Sequence, residues 1–243
     1  MLNRLFLMAA ALVAGITAAT AQKSDTFKTK SGHDVVITHI KHATMQIDYN
    51  GKVIYVDPVI KQKPETDFSA YPKASYILVT HEHPDHFDAI ALSQLRHEAT
   101  VVVANASVNA RLHYGMTMKN GDMLTLADDI KLWAVPAYNT TEGRQQFHPK
   151  GRDNGYVLEL DGLRIYLAGD TEDIDEMASL KDIDVAFLPC NQPYTMTPDQ
   201  LVRAAKMFMP KVLFPYHYGD TPVSQVLMKL MGSGINVRIR DYQ

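Results

Sequence analysis

The apolar run Tyr76-Ile77-Leu78-Val79 passes directly into Thr80-His81-Glu82-His83-Pro84-Asp85-His86, so a fold of this chain has to end a strand in a loop that gathers three histidines and Asp85. Imidazole nitrogen and carboxylate oxygen are what a borderline divalent ion such as zinc binds. If strand geometry persists for two more residues, His81 and His83 project to the same side, because side chains alternate with period two, and one metal can be held by that pair. Pro84 then ends ladder pairing. Asp85 and His86 follow where a helix can begin, with Pro84 near its first turn and Phe87, Ile90, Ala91, Leu92 and Leu95 behind at helical spacing, which turns Asp85 and His86 toward a second metal.

Strand signals crowd the region before this loop, at 35–37, 45–49 and 53–56, with Asn50-Gly51 as a two-residue hairpin turn between the last two. After the loop come a helix near 88–96, a strand at 100–104, a helix near 107–113 and strands at 123–126 and 130–135. The second half repeats the theme. Strands 156–160 and 163–168 pair across Asp161-Gly162, a helix is expected near 174–180, and 185–188 reads as a buried strand. Thr197 caps the next helix, with Pro198 at its first position and Gln200 three residues on, before a strand at 212–214 and a terminal helix and strand. Strands followed by alternating strand and helix in each half point to two sheets packed face to face with helices outside.

Met1-Leu2-Asn3-Arg4 supplies a positive start, residues 5–20 are almost wholly apolar or small, and Ala19-Thr20-Ala21 fits a small-x-small cleavage site. Residues 1–21 therefore read as a secretory signal peptide, and residues 22–243 as one exported α/β domain, periplasmic or secreted. The apolar stretch is short for a membrane span, so no stable membrane insertion is expected. A net charge of −3, with both signs intermixed, lacks the basic footprint that nucleic acid requires. Cys190 is the one cysteine and, behind the apolar run 185–189, reads as a buried structural thiol. No feature of the sequence sets an oligomeric state.

Four further segments bear on the histidine loop. Gly51-Lys52-Val53-Ile54-Tyr55-Val56-Asp57-Pro58 ends a strand in an aspartate, and Ile40-Lys41-His42-Ala43-Thr44 precedes it. Ile165-Tyr166-Leu167-Ala168-Gly169-Asp170-Thr171 and Val212-Leu213-Phe214-Pro215-Tyr216-His217-Tyr218-Gly219 end two later strands. In this order, and with His-x-His-x-Asp-His among them, the chain resembles the metallo-β-lactamase superfamily of metal-dependent hydrolases. The His-Ala-Thr segment resembles its lactonase-like and phospholipase-like branches. The resemblance spans roughly residues 35 to 220 and implies an αββα sandwich of two mixed sheets flanked by helices. It also implies ligand roles for His81, His83, Asp85, His86 and His217, and a metal-bridging role for Asp170.

One position departs from the family pattern. The third histidine of the first metal site is expected after a strand that here reads Leu132-Trp133-Ala134-Val135-Pro136-Ala137-Tyr138, and Asn139 stands in its place. Asn139 can offer an amide oxygen, a harder ligand that tilts the site toward manganese or iron. Alternatively His148, in Phe147-His148-Pro149-Lys150-Gly151, can swing back, and it is favoured because imidazole is the commoner ligand. The resemblance sets His42 near the site as an outer hydrogen-bonding group or a substrate contact. Asp57 has a reason to end an apolar strand if it accepts the outer ring N–H of a metal histidine; a turn residue before Pro58 is the alternative. His33, His39, His97 and His113 have no motif around them and read as surface or packing residues.

Two divalent ions, zinc first and manganese or iron as alternatives, lying roughly 3.5–4 Å apart would lower the pKa of a bound water toward neutrality. The activity so implied is hydrolysis of an ester, lactone or phosphoester bond in a small-molecule substrate, with Asp85 or the second metal assisting the leaving group. The polar loop 139–155 is long enough to be functional, and Arg144, Lys150 and Arg152 are candidates to engage an anionic substrate group. Asn191, Gln192, Pro193 and Tyr194 form a second candidate wall. The competing class is a non-catalytic metal- or ligand-binding member of the same fold, one that kept the ligands and lost turnover through Asn139.

Overall fold

A computed structural model describes residues 24–242, and the expected signal segment lies outside them. The described residues form two seven-stranded sheets whose strands lie side by side in chain order. The first contains β1 (Ser24–Lys28), β2 (Asp34–Lys41), β3 (Thr44–Tyr49), β4 (Lys52–Val56), β5 (Tyr76–Val79), β6 (Val101–Ala104) and β7 (Met116–Thr117). The second contains β8 (Met123–Ala127), β9 (Ile130–Ala137), β10 (Asp153–Leu160), β11 (Leu163–Leu167), β12 (Val185–Pro189), β13 (Val212–Tyr216) and β14 (Asn236–Val237). In each sheet the first four strands are antiparallel and the rest join in parallel, so the second half repeats the plan of the first.

The hairpins turn where Asn50-Gly51 and Asp161-Gly162 permit it. Their φ values of +45° and +73°, and of +44° and +79°, are the left-handed pairs a two-residue turn needs. Between the sheets Ile37, Met45, Ile47, Ile54 and Leu78 meet Leu132, Leu158, Ile165, Phe187 and Phe214. The parallel strands are covered on both faces, which is why β5, β12 and β13 are apolar throughout rather than alternating. Ile77, Val79 and Ala104 pack outward under α1 (Ala89–Leu95) and α2 (Ala106–Leu112). Ala186 and Leu188 do so under α3 (Pro198–Phe208) and α4 (Ser224–Lys229). This is the expected sandwich of two mixed sheets with helices outside.

Two local expectations are corrected, and two strands are added. The helix after the histidine loop does not begin at Pro84: residues 84–86 form a turn, and α1 starts at Ala89 because Asp88 caps it, its Oδ1 accepting from the N–H groups of Ile90 and Ala91. The helix expected near 174–180 is only a short 3-10 turn, Asp175–Ser179, preceded by Ile174, which supplies no side-chain cap. Strands β1 and β7 were not foreseen, since Ser-Asp-Thr-Phe-Lys and Met-Thr carry too little apolar periodicity, yet both serve as sheet edges.

Candidate metal centre

The carboxyl ends of β5, β11 and β13 lead into the site, delivering His81, Asp170 and His217 respectively. Asp57, at the end of β4, organises the first of these. Its carboxylate accepts from the Thr80 backbone N–H at 2.8 Å and from the Thr80 hydroxyl at 2.7 Å, and lies 2.8 Å from Nδ1 of His86. With Nδ1 so engaged, His86 presents Nε2 to the cluster, the orienting contact expected of a residue behind a metal ligand. Thr80 Oγ1 similarly lies 3.0 Å from Nδ1 of His81. Gly169 is required before Asp170: its φ is +66°, and a Cβ there would stand 3.0 Å from the Asn154 carbonyl and 3.2 Å from the Thr80 Cβ.

The polar atoms so gathered lie at a common spacing. Nε2 of His148 lies 3.2 Å from Nδ1 of His83 and 3.4 Å from Oδ2 of Asp170, and Nε2 of His81 lies 3.1 Å from Nδ1 of His83. On the other side, Nε2 of His217 lies 3.3 Å from Oδ2 of both Asp85 and Asp170, and Nε2 of His86 lies 3.2 Å from Oδ1 of Asp170. Four donors set tetrahedrally at 2.0–2.1 Å around a zinc ion stand about 3.3–3.4 Å from one another, so these separations suit the edges of coordination polyhedra. Nε2 of His86, Nε2 of His217 and Oδ1 of Asp170 are buried without a hydrogen-bond partner. Buried polar atoms left unpaired in this way cost free energy unless a ligand satisfies them. The donor atoms divide into a group from His81, His83 and His148, a group from His42, Asp85, His86 and His217, and a third that joins Asp170 to His81 and His86.

The polypeptide's own charges point the same way. Burial favours neutral imidazoles, yet at His86 and His217 the Asp170 and Asp85 carboxylates outweigh it and raise both, His217 to about 9. Burial also opposes ionisation of Asp85 and Asp170, but the surrounding imidazoles, His86 and His217 among them, hold both far below the ordinary carboxylate range. Burial pushes His42 and His148 down to about 4, with His217 adding to the effect at the first and His83 at the second. The cluster therefore demands positive charge beside its two carboxylates, and a divalent cation meets that demand in exchange for protons.

His148 is brought into the cluster and the Asn139 side chain is not. Asn139 Nδ2 donates to the carbonyls of Tyr194 at 2.8 Å and Arg144 at 3.3 Å, while its backbone N–H donates to the His148 carbonyl at 2.9 Å. Asn139 thus clamps the loop that carries the histidine. Buried Glu172 supports the same loop, accepting from the N–H groups of Thr140 and Thr141, a role the sequence reading missed. The loop cations are engaged elsewhere. Lys150 pairs with Glu176 at 2.8 Å and with the Tyr138 hydroxyl, Arg152 pairs with Asp153 and Glu82 and donates to the Phe147 carbonyl, and Arg144 bonds Gln192. None of the three lines the cavity, so the expectation that they engage an anionic substrate is not supported by their placement.

That cavity, about 390 Å³, is lined by the metal-type donors together with Gln62, Phe147, Asn191 and Tyr194. Phe147 and Tyr194 meet edge to face at 5.1 Å. Gln62 was not foreseen; it is held by buried Lys41, whose ammonium donates to the carbonyls of Ile60, Gln62 and Pro64 at 2.7, 2.8 and 3.0 Å. A buried lysine aimed at a loop is the signal, and only the fold makes it visible. Among the histidines without motifs, His39 is buried against Asp25 and Tyr242, His113 ends α2 in a left-handed conformation, and His33 and His97 are exposed.

Comparison with known proteins agrees with this geometry. The family model described as a β-lactamase superfamily domain matches residues 36–217. A metal-dependent hydrolase of the UPF0173 group from Anoxybacillus flavithermus is 32% identical over 203 residues, covering 78% of this chain and 88% of its own. A crystal structure from Parabacteroides distasonis, described as that of a metal-dependent hydrolase, is 52% identical with a TM-score of 0.88, covering 92% of this chain and 100% of its own. A metallo hydrolase from Ignicoccus hospitalis, 24% identical with a TM-score of 0.72 over 85% of this chain and 95% of its own, shares the fold. The chain belongs to the β-lactamase superfamily and is a metal-dependent hydrolase of the metallo-β-lactamase fold.

Proposed function

We propose that the protein uses two divalent ions, zinc by the preference of an imidazole-rich donor set, to hydrolyse an ester, lactone or phosphoester bond of a small molecule. The carrying observation is that two donor groups, His81, His83 and His148 on one side and Asp85, His86 and His217 on the other, both border Asp170. Ions held there would supply Lewis acidity and a water acidic enough to ionise near neutral pH. Asp170 would be shared between the two groups. Asp57 and Thr80 fix the ring orientations of His86 and His81, so the donors are set before substrate arrives. Asp85 is partly exposed to the cavity, and assistance to the leaving group would come from the ion it helps to hold or from a proton that Asp85 relays from water. Phe147 and Tyr194 present an apolar wall that limits water, while Gln62 and Asn191 offer polar contacts to a substrate.

The test is turnover of an aryl ester, a lactone and an aryl phosphodiester by metal-free, zinc-, manganese- and iron-loaded protein, with Asp85→Asn alongside. Metal-dependent turnover of at least one substrate, reduced by a factor of about 10²–10⁴ in Asp85→Asn, is the expected result. Two bound ions with no turnover across the panel would favour the non-catalytic binding alternative.

A further inference from the structure

His42 stands at the β2–β3 junction with φ of +44°, a conformation that non-glycine residues seldom adopt unless the surroundings hold it. The surroundings do hold it. Its backbone N–H donates to the Tyr242 carbonyl at 2.9 Å, and its own carbonyl accepts from the His217 N–H at 3.3 Å. Tyr242 is anchored in turn through its hydroxyl, 3.1 Å from Nδ1 of His39, whose Nε2 lies 2.9 Å from Oδ2 of Asp25. Buried Asp25 also accepts from Arg238 at 2.9 Å and from Arg240 at 2.6 and 2.8 Å, which clamps residues 238–242 against β1 and β2. A chain segment distant in sequence is thus fastened at several points, and its last contact fixes the backbone of one histidine.

The side chain so placed faces the second donor group. Nε2 of His42 lies 3.2 Å from Oδ2 of Asp85, and its ring centroid is 3.8 Å from that of His217. The ligand-type atoms of His42, Asp85, His86 and His217 all fall within 4.8 Å of one another. Three imidazole nitrogens therefore surround one carboxylate oxygen, at 3.2, 3.3 and 3.9 Å. Only the first two lie within hydrogen-bond reach of that oxygen, and Nε2 of both His86 and His217 is buried without a hydrogen-bond partner. A single cation among them satisfies the three nitrogens and the oxygen together, and the 3.2 Å separation is close to the edge of a zinc polyhedron, about 3.3–3.4 Å.

We propose that His42 is a fourth protein donor to the second ion, completing a pocket of His42, Asp85, His86 and His217 that is richer than the His81, His83 and His148 pocket. This rests on the two-ion reading above. Its consequence is an order of release: graded chelation should remove the ion of the three-histidine pocket first, and His42→Gln should narrow or abolish that difference.

The decisive measurement is a crystal structure of the unaltered, zinc-loaded protein with anomalous scattering, joined to a chelator-competition titration of wild type and His42→Gln. Coordination predicts an Nε2–zinc distance of about 2.0–2.1 Å and a loss of second-ion affinity beyond the 10–100-fold typical of a residue that only orients a ligand. A zinc ion held by Asp85, His86 and His217 with His42 more than about 3 Å away would overturn the assignment while leaving the two-ion reading intact. A protein that takes up none of zinc, manganese or iron would overturn both. The crystallographic arm needs no substitution, so it decides the matter even if His42→Gln does not fold.

Discussion

At the scale of single residues, the site separates donors from the groups that hold them. His148 stands with His81, His83 and Asp170, whereas Asn139 grips the His148 carbonyl and the Tyr194 carbonyl. His148→Ala is therefore expected to weaken metal binding by more than about 100-fold and Asn139→Ala by less, in a chelator-competition titration; the reverse ranking would return the ligand role to Asn139. Protons compete for the same nitrogens. His217 is raised to about 9 and His86 is raised as well, so protons compete for these nitrogens at neutral pH and the competition eases as pH rises toward 9. Metal affinity should accordingly increase with pH from 7 toward 9, and uptake of the ions at pH 7 should release protons, measurable by calorimetry in buffers of different ionisation enthalpy. Binding that is flat across this range would mean that these two imidazoles are not the ones displaced.

At the scale of elements, strand ends do the positioning and helices mainly cover. Gly169 follows β11 at a φ of +66° under the Asn154 carbonyl, so Gly169→Ala should destabilise the fold by about 1–3 kcal/mol and shift Asp170, costing metal as well. Thr197→Ala removes the capping box of α3, in which the Thr197 hydroxyl accepts from the Gln200 N–H, and should cost about 1 kcal/mol with metal binding unchanged. Urea unfolding together with metal titration distinguishes the two variants. An effect of Thr197→Ala on metal affinity would show that α3 does more than cover the sheet. The α3 cap was legible in the sequence because its signals are local: Thr, Pro and Gln at fixed offsets. The failed helix at 174–180 shows the opposite case, where apolar spacing without a cap produced only a 3-10 turn.

At the scale of the whole molecule, the first and last of the described strands and segments are joined. Asp25 in β1 binds Arg238 and Arg240 near the other end, so Asp25→Ala leaves two partly buried guanidinium groups unpaired and should cost about 3–5 kcal/mol in thermal or urea unfolding. A change within about 0.5 kcal/mol would show that the tail clamp is dispensable. Export is a separate proposal, carried by the charged start, apolar stretch and Ala19-Thr20-Ala21. Intact mass of the natively expressed protein is expected to correspond to cleavage after Ala21, and a full-length cytoplasmic species would refute it.

Most of the strand segments, both tight hairpins, the α3 cap and the run from His81 to His86 were legible in the amino-acid sequence, because each is written in neighbouring residues whose periodicity or turn chemistry acts locally. Only the tertiary structure decided that His148 reaches the cluster while Asn139 clamps its loop, that Lys41 carries Gln62 to the cavity, and that Tyr242 fixes His42. It also decided that Arg144, Lys150 and Arg152 bind their own neighbours and do not line the site. The reason is physical: a loop's path and a charged side chain's partner depend on groups brought near by folding, and those contacts join residues whose separation along the chain has no periodicity to read.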